Sequence, residues 1–379
     1  MKRKMEEACM TLQTYKVKDI ETLKLLGRTA RKKQPLTLFW TGSGIECRVQ
    51  AAELWIEVEA DYSAYEPWIS IVINGAYVSR RMIEKGRQWI CIFRGMNPEV
   101  IKSVKIIKEV QAMSGDEEHL LQVQQLRTDG SFLPVEEKPY KLEFIGDSIT
   151  SGEGSIGAKV EEDWISMWFS TENNYARMTA DALNAEYRLL CQSGWGVYSS
   201  WDNNPHAAMP LYYEKVCGLL TGERNEALGA KEENDFKAWQ PNVIIINLGT
   251  NDGGAFNSPA WKDEATGESF KQRLNEDGSF NKEDIKCFEE AAVAFLHKLR
   301  KYNEESYIVW AYGMLGNAMA PFIKEAIAAY QKDSGDKKVS FIALPDTTEQ
   351  TVGARQHPGA LSHKQASDVL VEYLQILLS

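Results

Sequence analysis

Apolar and polar residues alternate along the first third of the chain. From residue 36 to about residue 123, apolar side chains recur at every second position, as in the run 54–59. This period is typical of strands with one buried face. Asn74-Gly75 separates two such runs, and Asn-Gly supplies the positive φ angles of a tight hairpin turn. With further short strands predicted over 88–93, 103–110 and 120–125, the pattern indicates two packed antiparallel sheets.

The pattern changes after the charged, proline-bearing stretch 134–139. Beyond it, continuous apolar runs alternate with helical patterns, which is typical of a parallel sheet covered on both faces. The strands are predicted over 142–145, 187–192, 243–248, 307–311 and 339–344, and the helices over 174–183, 282–302, 320–333 and 362–378. Ser362 is a suitable N-cap for the last helix.

A chain of 379 residues exceeds the length that one hydrophobic core usually serves, so two domains are expected. The change of pattern places the boundary in the linker. We predict an all-β sandwich domain over residues 1–137 and an α/β domain over residues 138–379.

The negative net charge of the chain disfavours some classes of binding partner. The net charge is −11 at pH 7 and the isoelectric point is near 5.2. Nucleic acid and anionic membranes are themselves negative, so we expect neither as a partner, and a neutral substrate suits this surface better. No segment is long and apolar enough to span a bilayer. Residues 1–10 are charged and no apolar run of a secretory signal follows them, so we expect a cytoplasmic location; the oligomeric state does not follow from the sequence.

Six cysteines and five histidines are dispersed along the chain. The cysteines form no C-x-x-C pair and lie mostly in apolar runs, so we expect buried, reduced thiols. Because no spacing matches a zinc site, we expect neither a metal nor a cofactor. His119, His206 and His297 have no partner in the sequence and are interpreted as structural or exposed.

Four polar clusters follow predicted strands of the second half. Ser148 lies in Gly-Asp-Ser directly after strand 142–145, Gly194 follows strand 187–192, and Asn251 follows strand 243–248. His357 precedes Pro-Gly in the loop before the final helix. Functional groups of open parallel sheets collect at the carboxyl ends of the strands, so we expect these residues to meet at one edge. Gly-Asp-Ser alone would indicate only a turn, and the combination is more specific.

In this order, Gly-Asp-Ser, Ser-Gly, Gly-Thr-Asn-Asp and His-Pro resemble the four blocks of the SGNH, or GDSL, hydrolases, over the chain from about residue 141 to its end. Upstream, Leu-Gly-Arg-Thr at 26–29 and Phe-Trp-Thr-Gly-Ser-Gly-Ile-Glu at 39–46 resemble the N-terminal domain of family 2 carbohydrate esterases, and residues 357–363 resemble their C-terminal block. The resemblance implies a jelly-roll domain followed by a flavodoxin-like, three-layer α/β/α SGNH domain with a parallel sheet. It also implies removal of acetyl groups from carbohydrate.

The resemblance assigns roles that chemistry can rationalise. Ser148 would be the nucleophile and His357 the base that removes its proton during attack. Attack on an ester carbonyl creates an oxyanion, and the family's donors correspond to the Ser148 and Gly194 backbone N–H groups and the Asn251 side-chain amide. Losing one such donor typically costs about 2.7 to 4 kcal/mol of transition-state stabilisation.

The sequence departs from the family at the third member of the triad. Many SGNH enzymes carry an Asp two or three residues before the histidine, where this chain has Arg355 and Ala354. Either a backbone carbonyl within residues 352–356 orients His357, or an acid such as Asp346 or Glu349 substitutes. We favour the carbonyl, because the third group's task is orientation rather than proton acceptance.

Weaker signals surround the four blocks. Trp195 and Trp201 flank the second block, where an indole can stack on a sugar ring or pack in the core. Asp252 and Trp261 are further candidate substrate contacts. Trp261 lies in the polar segment 254–283, which is interpreted either as a wall or lid of the site or as a surface excursion.

Three further features receive structural interpretations. Asp147 is expected to stabilise the turn that carries the nucleophile. His363 is expected to be a helix-start residue, and residues 202–204 a solvated turn.

Three functions are weighed. The first is hydrolysis of O-acetyl esters on mono- or oligosaccharides, small substrates being favoured because no secretion signal is recognised. The second is a general short-chain acyl esterase or thioesterase, which the same residues could support. The third is a carbohydrate-binding protein with weak or no turnover, a reading motivated by the missing aspartate.

Overall fold

The computed structural model describes residues 11–379. The charged segment 1–10, on which the expectation about secretion rests, and Cys9 lie outside the described residues. Within the described chain, none of the helices has both the length and the apolar character needed to cross a membrane.

The first half is built of two antiparallel sheets that pack around one apolar core. One sheet has the order β1-β10-β5-β8 with β3 paired to β10, and the other has the order β11-β4-β9-β6-β7 with β2 paired to β4. The strands are β1 Gln13–Lys16, β2 Lys24–Leu26, β3 Leu36–Thr37, β4 Gly44–Gln50, β5 Glu53–Asp61, β6 Trp68–Ile73, β7 Ala76–Met82, β8 Gly86–Arg94, β9 Ile101–Lys108, β10 Leu120–Thr128 and β11 Ser131–Leu133.

The alternation in the sequence explains this sandwich. Along β5, Leu54, Ile56 and Val58 point into the shared core and are fully buried. Asn74 and Gly75 join β6 to β7 with φ angles of 52° and 82°, the left-handed values that a two-residue hairpin turn requires. The predicted β-sandwich of the jelly-roll type is confirmed.

The second half is a parallel sheet of five strands in the order β13-β12-β14-β17-β18, with helices on both faces. Its strands are β12 Tyr140–Gly146, β13 Ala185–Cys191, β14 Val243–Asn247, β17 Tyr307–Gly313 and β18 Val339–Leu344. A small separate hairpin consists of β15 Trp261–Lys262 and β16 Ser269–Phe270. The helices are α1 Ser148–Ser151, α2 Tyr175–Ala182, α3 Glu223–Ala227, α4 Thr250–Ala255, α5 Lys282–Tyr302, α6 Ala320–Ser334 and α7 Ala360–Leu378.

The central strand β14 shows why such strands are continuously apolar. Val243 and Ile245 face the core beneath α2 and α7, whereas Ile244 and Ile246 face the core beneath α5 and α6. Both faces of the strand are therefore buried away from water, which disfavours polar residues at the positions that face either core. The predicted three-layer α/β/α domain is confirmed.

Two local expectations are wrong. Ser362 does not cap the last helix, because α7 begins at Ala360 after Gly359, and the Ser362 hydroxyl instead lies 2.8 Å from Thr347 Oγ1. The cysteines are not uniformly buried. Cys91 is exposed and Cys287 half-buried, while the free thiols Cys47, Cys191 and Cys217 are buried.

The upstream motifs lie where the two halves touch. Arg28 is buried and forms an ion pair with Glu143 of β12 at 3.1 Å, and the Tyr213 hydroxyl donates to the same carboxylate at 2.7 Å. Trp40 donates its indole N–H to the Val216 carbonyl at 2.6 Å. Buried charges persist only when they are paired in this way, so these motifs serve the contact between the halves. The domain boundary at residues 137/138 falls between β11 and β12 and stays a prediction.

Candidate active site

Ser148, the expected nucleophile, lies where β12 turns sharply into α1. Gly146 ends the strand, and a Cβ atom there would lie 1.9 Å from Thr150 Oγ1, so only glycine fits. Asp147 caps the helix through its Oδ1 atom, which accepts the Ile149 N–H at 3.0 Å. Caps of this kind contribute about 0.5–2 kcal/mol. Ser148, the first helical residue, is thereby fixed at the carboxyl edge of the sheet.

The structure brings His357 to this serine. His357 Nε2 lies 2.9 Å from Ser148 Oγ, and His357 Nδ1 lies 2.7 Å from the Arg355 carbonyl oxygen. A carbonyl can only accept, so Nδ1 carries the proton and Nε2 is left as the acceptor for the serine proton. Asp346 instead accepts hydrogen bonds from Gly316 N–H at 2.8 Å and the Asn317 amide at 3.3 Å. The carbonyl, not Asp346, thus stands at the position of the third triad member.

An unusual backbone conformation directs the Arg355 carbonyl towards the imidazole of His357. Arg355 and Gln356 have φ angles of 58° and 54°, in the left-handed region that non-glycine residues rarely adopt. The segment is held by a hydrogen bond from Ala354 N–H to the Gly154 carbonyl at 3.1 Å and by another from Arg355 N–H to the Glu161 carbonyl at 2.7 Å. Conformations of this kind cost on the order of 1–3 kcal/mol each and persist only where surrounding contacts hold them.

The expected oxyanion donors line the same cavity as the serine. Gly194 has a φ angle of +81°, and a Cβ atom there would lie 2.9 Å from the Trp201 ring. Asn251, in the first turn of α4, donates its amide to Asp147 Oδ2 at 3.1 Å and to the Trp195 carbonyl at 3.0 Å. Both amide protons have protein acceptors, so an oxyanion must draw one of them away. Burial raises the pKa of Asp147 to about 7, which makes that carboxyl readily neutralised.

The cavity has a volume of about 570 Å³ and is walled by both halves of the molecule. The second half supplies Ser148 and His357 together with Trp164, Trp195 and Trp201. The first half supplies Tyr65, Met113, Ser114 and Gly115. A site with aromatic walls and a few polar groups suits a ligand with both apolar and hydroxylated faces.

The two tryptophans of the second block differ in exposure. Trp201 lines the cavity and is 55% exposed. Trp195 is partly buried and packs against Tyr212 with ring centroids 5.4 Å apart, although it also lines the cavity. Trp201 is therefore the better placed of the two to stack on a ligand.

Asp252 as a substrate contact is wrong. Its side chain is fully buried and accepts the backbone N–H groups of Val197, Tyr198 and Ser199 at 2.8 to 3.3 Å. Asp252 thus holds the loop that follows Gly194. Burial raises the pKa of Asp252 to about 6.

Trp261 is not among the residues that line the cavity. It belongs to the hairpin of β15 and β16, and its ring packs edge-on against His206 with centroids 5.5 Å apart. The interpretation of residues 202–204 as a solvated turn fails at Asn203, which is buried and donates to the Ala255 carbonyl at 2.8 Å and the Pro259 carbonyl at 3.0 Å. The segment 254–283 is therefore a surface excursion anchored by Asn203.

The other four histidines do not line the cavity. His363 is buried one turn into α7, where its Nδ1 accepts the Tyr175 backbone N–H at 3.1 Å. His119 is buried and contacts the Tyr65 carbonyl at 2.7 Å. Burial lowers the pKa of each of these two histidines to about 3. His206 and His297 are exposed beside Glu268 and Asp333.

Sequence reasoning missed Glu153. Its carboxylate is buried, with Oε1 3.8 Å from His357 Nε2 and 3.3 Å from Arg355 Nε. The residue lies five positions after Ser148, in the same block, which is the signal that could have drawn attention to it. In the part of the chain that the structure covers, no group of three or more His, Cys, Asp or Glu side chains is placed to hold a metal ion.

The fold and the Ser148–His357 pair together define a serine acyl hydrolase built on a three-layer α/β/α domain. Residues 142–370 match the model of the GDSL-like lipase/acylhydrolase family. The chain belongs to this family, and the resemblance to SGNH hydrolases is confirmed.

Solved structures and curated proteins narrow the relationship. An acetyl xylan esterase from the rumen bacterium Butyrivibrio proteoclasticus is 46% identical, with a TM-score of 0.95 and coverage of 97% of this chain and 99% of that one. A family two carbohydrate esterase from Clostridium thermocellum, solved in complex with cellohexaose, is 20% identical with a TM-score of 0.77, covers 94% and 99% of the two chains, and shows the shared fold. The acetylxylan esterase / glucomannan deacetylase of Cellvibrio japonicus is 28% identical over 248 residues, and the match spans 64% of each protein.

Proposed function

We propose that this protein is a serine esterase that removes O-acetyl groups from mono- or oligosaccharides. The observation that carries the proposal is the imidazole of His357, held at Nδ1 by a carbonyl and presenting Nε2 to Ser148 Oγ at 2.9 Å. The acetyl group and the carbohydrate are supported by the relatives, which are described as acetyl xylan esterases and as a glucomannan deacetylase.

The geometry supports a two-step reaction. Ser148 Oγ attacks the ester carbonyl while its proton passes to His357 Nε2, and the resulting oxyanion is met by N–H donors at Ser148, Gly194 and Asn251. When the bond to the sugar oxygen breaks, Nε2 returns the proton to that oxygen and an acetyl-serine remains. A water molecule, deprotonated in turn by Nε2, then attacks the acetyl-serine; as the bond to Ser148 Oγ breaks, Nε2 returns the proton to Oγ and acetate is released.

Two groups compensate for the missing aspartate in this scheme. The Arg355 carbonyl accepts the Nδ1 proton throughout and so keeps the ring in the productive tautomer. The Glu153 carboxylate, 3.8 Å from Nε2, supplies negative charge beside the imidazolium that forms during attack. Orientation and charge, which an aspartate provides together, come here from separate residues.

The substrate is a small, neutral carbohydrate. The cavity of about 570 Å³ accommodates one or two sugar rings, and the exposed indole of Trp201 offers a face for stacking. The net charge of −11 disfavours polyanionic ligands. A cytoplasmic location would suit imported acetylated fragments rather than polymers, and it remains part of the proposal.

The test compares acyl chain length and then carbohydrate. The wild-type protein should hydrolyse p-nitrophenyl acetate well and the octanoate ester poorly, and it should release acetate from acetylated xylo-oligosaccharides. Ser148→Ala should abolish all three activities. Preference for octanoate, or turnover of acyl thioesters without release of acetate from sugars, would replace this proposal with a general short-chain esterase or thioesterase.

A fluorophosphonate probe separates an enzyme from a binding protein. The probe should label the wild-type protein covalently, and the label should be absent from Ser148→Ala. Saccharide binding by a folded protein that stays unlabelled would instead indicate a carbohydrate-binding protein without turnover.

A further inference from the structure

A segment of the first half reaches the catalytic edge of the second. After β9 ends at Lys108, residues 109–113 run along the boundary between the halves, and Glu109, Gln111 and Met113 all contact the second half. Glu109 accepts the Thr171 N–H at 3.0 Å, and Met113 packs against Phe169. Val110 and Ala112, which lie between these residues, are buried in apolar clusters that also contain second-half side chains, so the whole segment packs against that half.

Gln111, at the centre of this segment, is fully buried, and three donor atoms lie within hydrogen-bond distance of its Oε1. Its Oε1 lies 2.8 Å from the Ser193 backbone nitrogen, 2.9 Å from Ser193 Oγ and 3.0 Å from Ser151 Oγ. Ser151 is the last residue of α1, the helix that begins with Ser148. Ser193 immediately precedes Gly194. A single amide oxygen thus joins the segment of the nucleophile to the segment of an expected oxyanion donor.

The two joined segments come from neighbouring strands. β12 leads to Ser148 and β13 leads to Gly194, and beyond the strand ends the regular ladder of hydrogen bonds stops. The backbone contact there is a longer bond from Gln192 N–H to the Gly146 carbonyl at 3.3 Å. Beyond this bond, the separation between the serine and the Gly194 N–H depends on contacts such as those of Gln111.

We propose that Gln111, although it lies outside the SGNH blocks, is a positioning residue for catalysis that fixes the Gly194 N–H relative to Ser148. This inference rests on the proposed esterase function and deepens it, because it makes the first half part of the machinery that stabilises the transition state. Gln111 touches no reacting atom and acts through Ser193 and Ser151.

The role predicts a particular kinetic signature. Substrate binding depends on the cavity walls, whereas the oxyanion contact develops fully only in the transition state, so loss of Gln111 should lower kcat and leave KM nearly unchanged. A misplacement of about 1 Å can cost about 100-fold in rate. We expect kcat for p-nitrophenyl acetate to fall about 10- to 100-fold in Gln111→Ala with KM within about twofold.

The matched control is Gln122→Ala. Gln122 of β10 is also a buried glutamine of the first half, but its amide donates to Thr37 Oγ1 at 3.0 Å on the neighbouring strand β3, and neither residue lines the cavity. Both variants should lower the melting temperature, and only Gln111→Ala should lose kcat. Gln111→Met, which keeps the length of the side chain and removes the acceptor, replaces Gln111→Ala if the alanine variant does not fold.

The rate of fluorophosphonate labelling gives a second readout, because phosphonylation of Ser148 uses the same oxyanion donors. Labelling of Gln111→Ala should slow in parallel with kcat, whereas Gln122→Ala should label at the wild-type rate. A kcat within twofold of wild type, a rise in KM at constant kcat, or an equal loss in Gln122→Ala would overturn the inference. If the wild-type protein hydrolyses no ester, the proposed function fails and the labelling rates alone decide the role of Gln111.

Discussion

Ser148 and His357, the proposed catalytic pair, are held in place by different means. The serine segment, residues 146–154, leads from the end of the inner strand β12 into a capped helix, and its residues from Gly146 to Gly154 are all buried. The histidine segment, residues 352–359, belongs to neither a strand nor a long helix, and it includes left-handed backbone at Arg355 and Gln356. The first is fixed by regular structure, and the second by a few backbone hydrogen bonds.

The comparison shows how an imidazole can be oriented without an acid. A turn that folds back on itself brings the carbonyl of Arg355 to the ring of His357, two residues later. The cost is backbone strain, which the serine segment helps to offset through the hydrogen bond between Ala354 N–H and the Gly154 carbonyl. The two segments therefore depend on each other, and the predictions below probe that dependence.

The largest effect is expected from removing either member of the pair. Ser148→Ala and His357→Ala should each lower kcat by at least about 1,000-fold, and the double variant should be no worse than either single one, because the two residues act as a unit. Steady-state hydrolysis of p-nitrophenyl acetate measures this. Multiplicative losses would contradict a shared proton transfer.

Asn251→Ala should lower kcat about 100- to 1,000-fold while leaving KM little changed, because the amide is expected to contact the reacting oxygen only when the oxyanion forms. The loss should exceed that of Gln111→Ala, which acts indirectly. Asn225→Ala serves as a control for general destabilisation, because Asn225 is a buried asparagine of α3 that donates its amide to the Thr221 carbonyl at 2.8 Å and does not line the cavity. A KM effect alone would show that Asn251 binds the ground state instead.

Gly154→Ala tests the contact between the two segments. A Cβ atom at Gly154 would lie 2.2 Å from the Ala354 carbonyl oxygen and 2.6 Å from His357 Cβ, so the histidine segment must move, and kcat should fall about tenfold or more. Gly278→Ala shares the positive φ angle but has open space around it. It should lose some stability and retain kcat, and equal kcat for the two variants would refute the steric argument.

The pH dependence of stability reports on the buried imidazole of His363. Burial lowers the pKa of His363 to about 3 in the folded protein. As pH falls below about 6.5, this histidine therefore becomes protonated in the unfolded chain but stays neutral in the folded protein. The free energy of unfolding should therefore decrease from pH 7 towards pH 4. His363→Asn can keep an acceptor for the Tyr175 N–H and cannot titrate, so its decrease, measured by urea denaturation, should be shallower. An unchanged slope would mean that His363 does not contribute, since His119 keeps its own share.

The smallest effect is expected from Asp346→Asn. Asp346 serves Gly316 and Asn317 rather than the imidazole, so kcat should stay within about twofold of wild type. A large loss of kcat would instead indicate that Asp346 orients the imidazole of His357. Glu153→Gln provides the contrast, since it removes charge 3.8 Å from Nε2 and should lower kcat more than Asp346→Asn does.

Much of the fold could be predicted because burial leaves a periodic signal. Helix α5 and strand β18 begin and end where the apolar pattern does, at residues 282–302 and 339–344. The positions of Ser148, Gly194, Asn251 and His357 followed from the rule that loops at strand ends share an edge.

What the sequence did not predict depends on partners far along the chain. Asp252 and Asn203 look like surface residues until folding brings buried N–H groups and carbonyls to them. Gln111 lies in a half without catalytic motifs, and its three donors come from residues 151 and 193. Arg355 adopts a left-handed backbone conformation although it is not a glycine, so its residue type gave no signal of that conformation.

The cavity has a consequence for how such proteins diversify. Tyr65, Met113, Ser114 and Gly115 belong to its wall but precede residues 142–370, the span shared with the wider family. Changes in the loops of the sandwich can therefore reshape what is admitted while the reacting groups stay untouched. A library of variants restricted to those loops would test whether substrate preference can change while Ser148 and His357 stay the same.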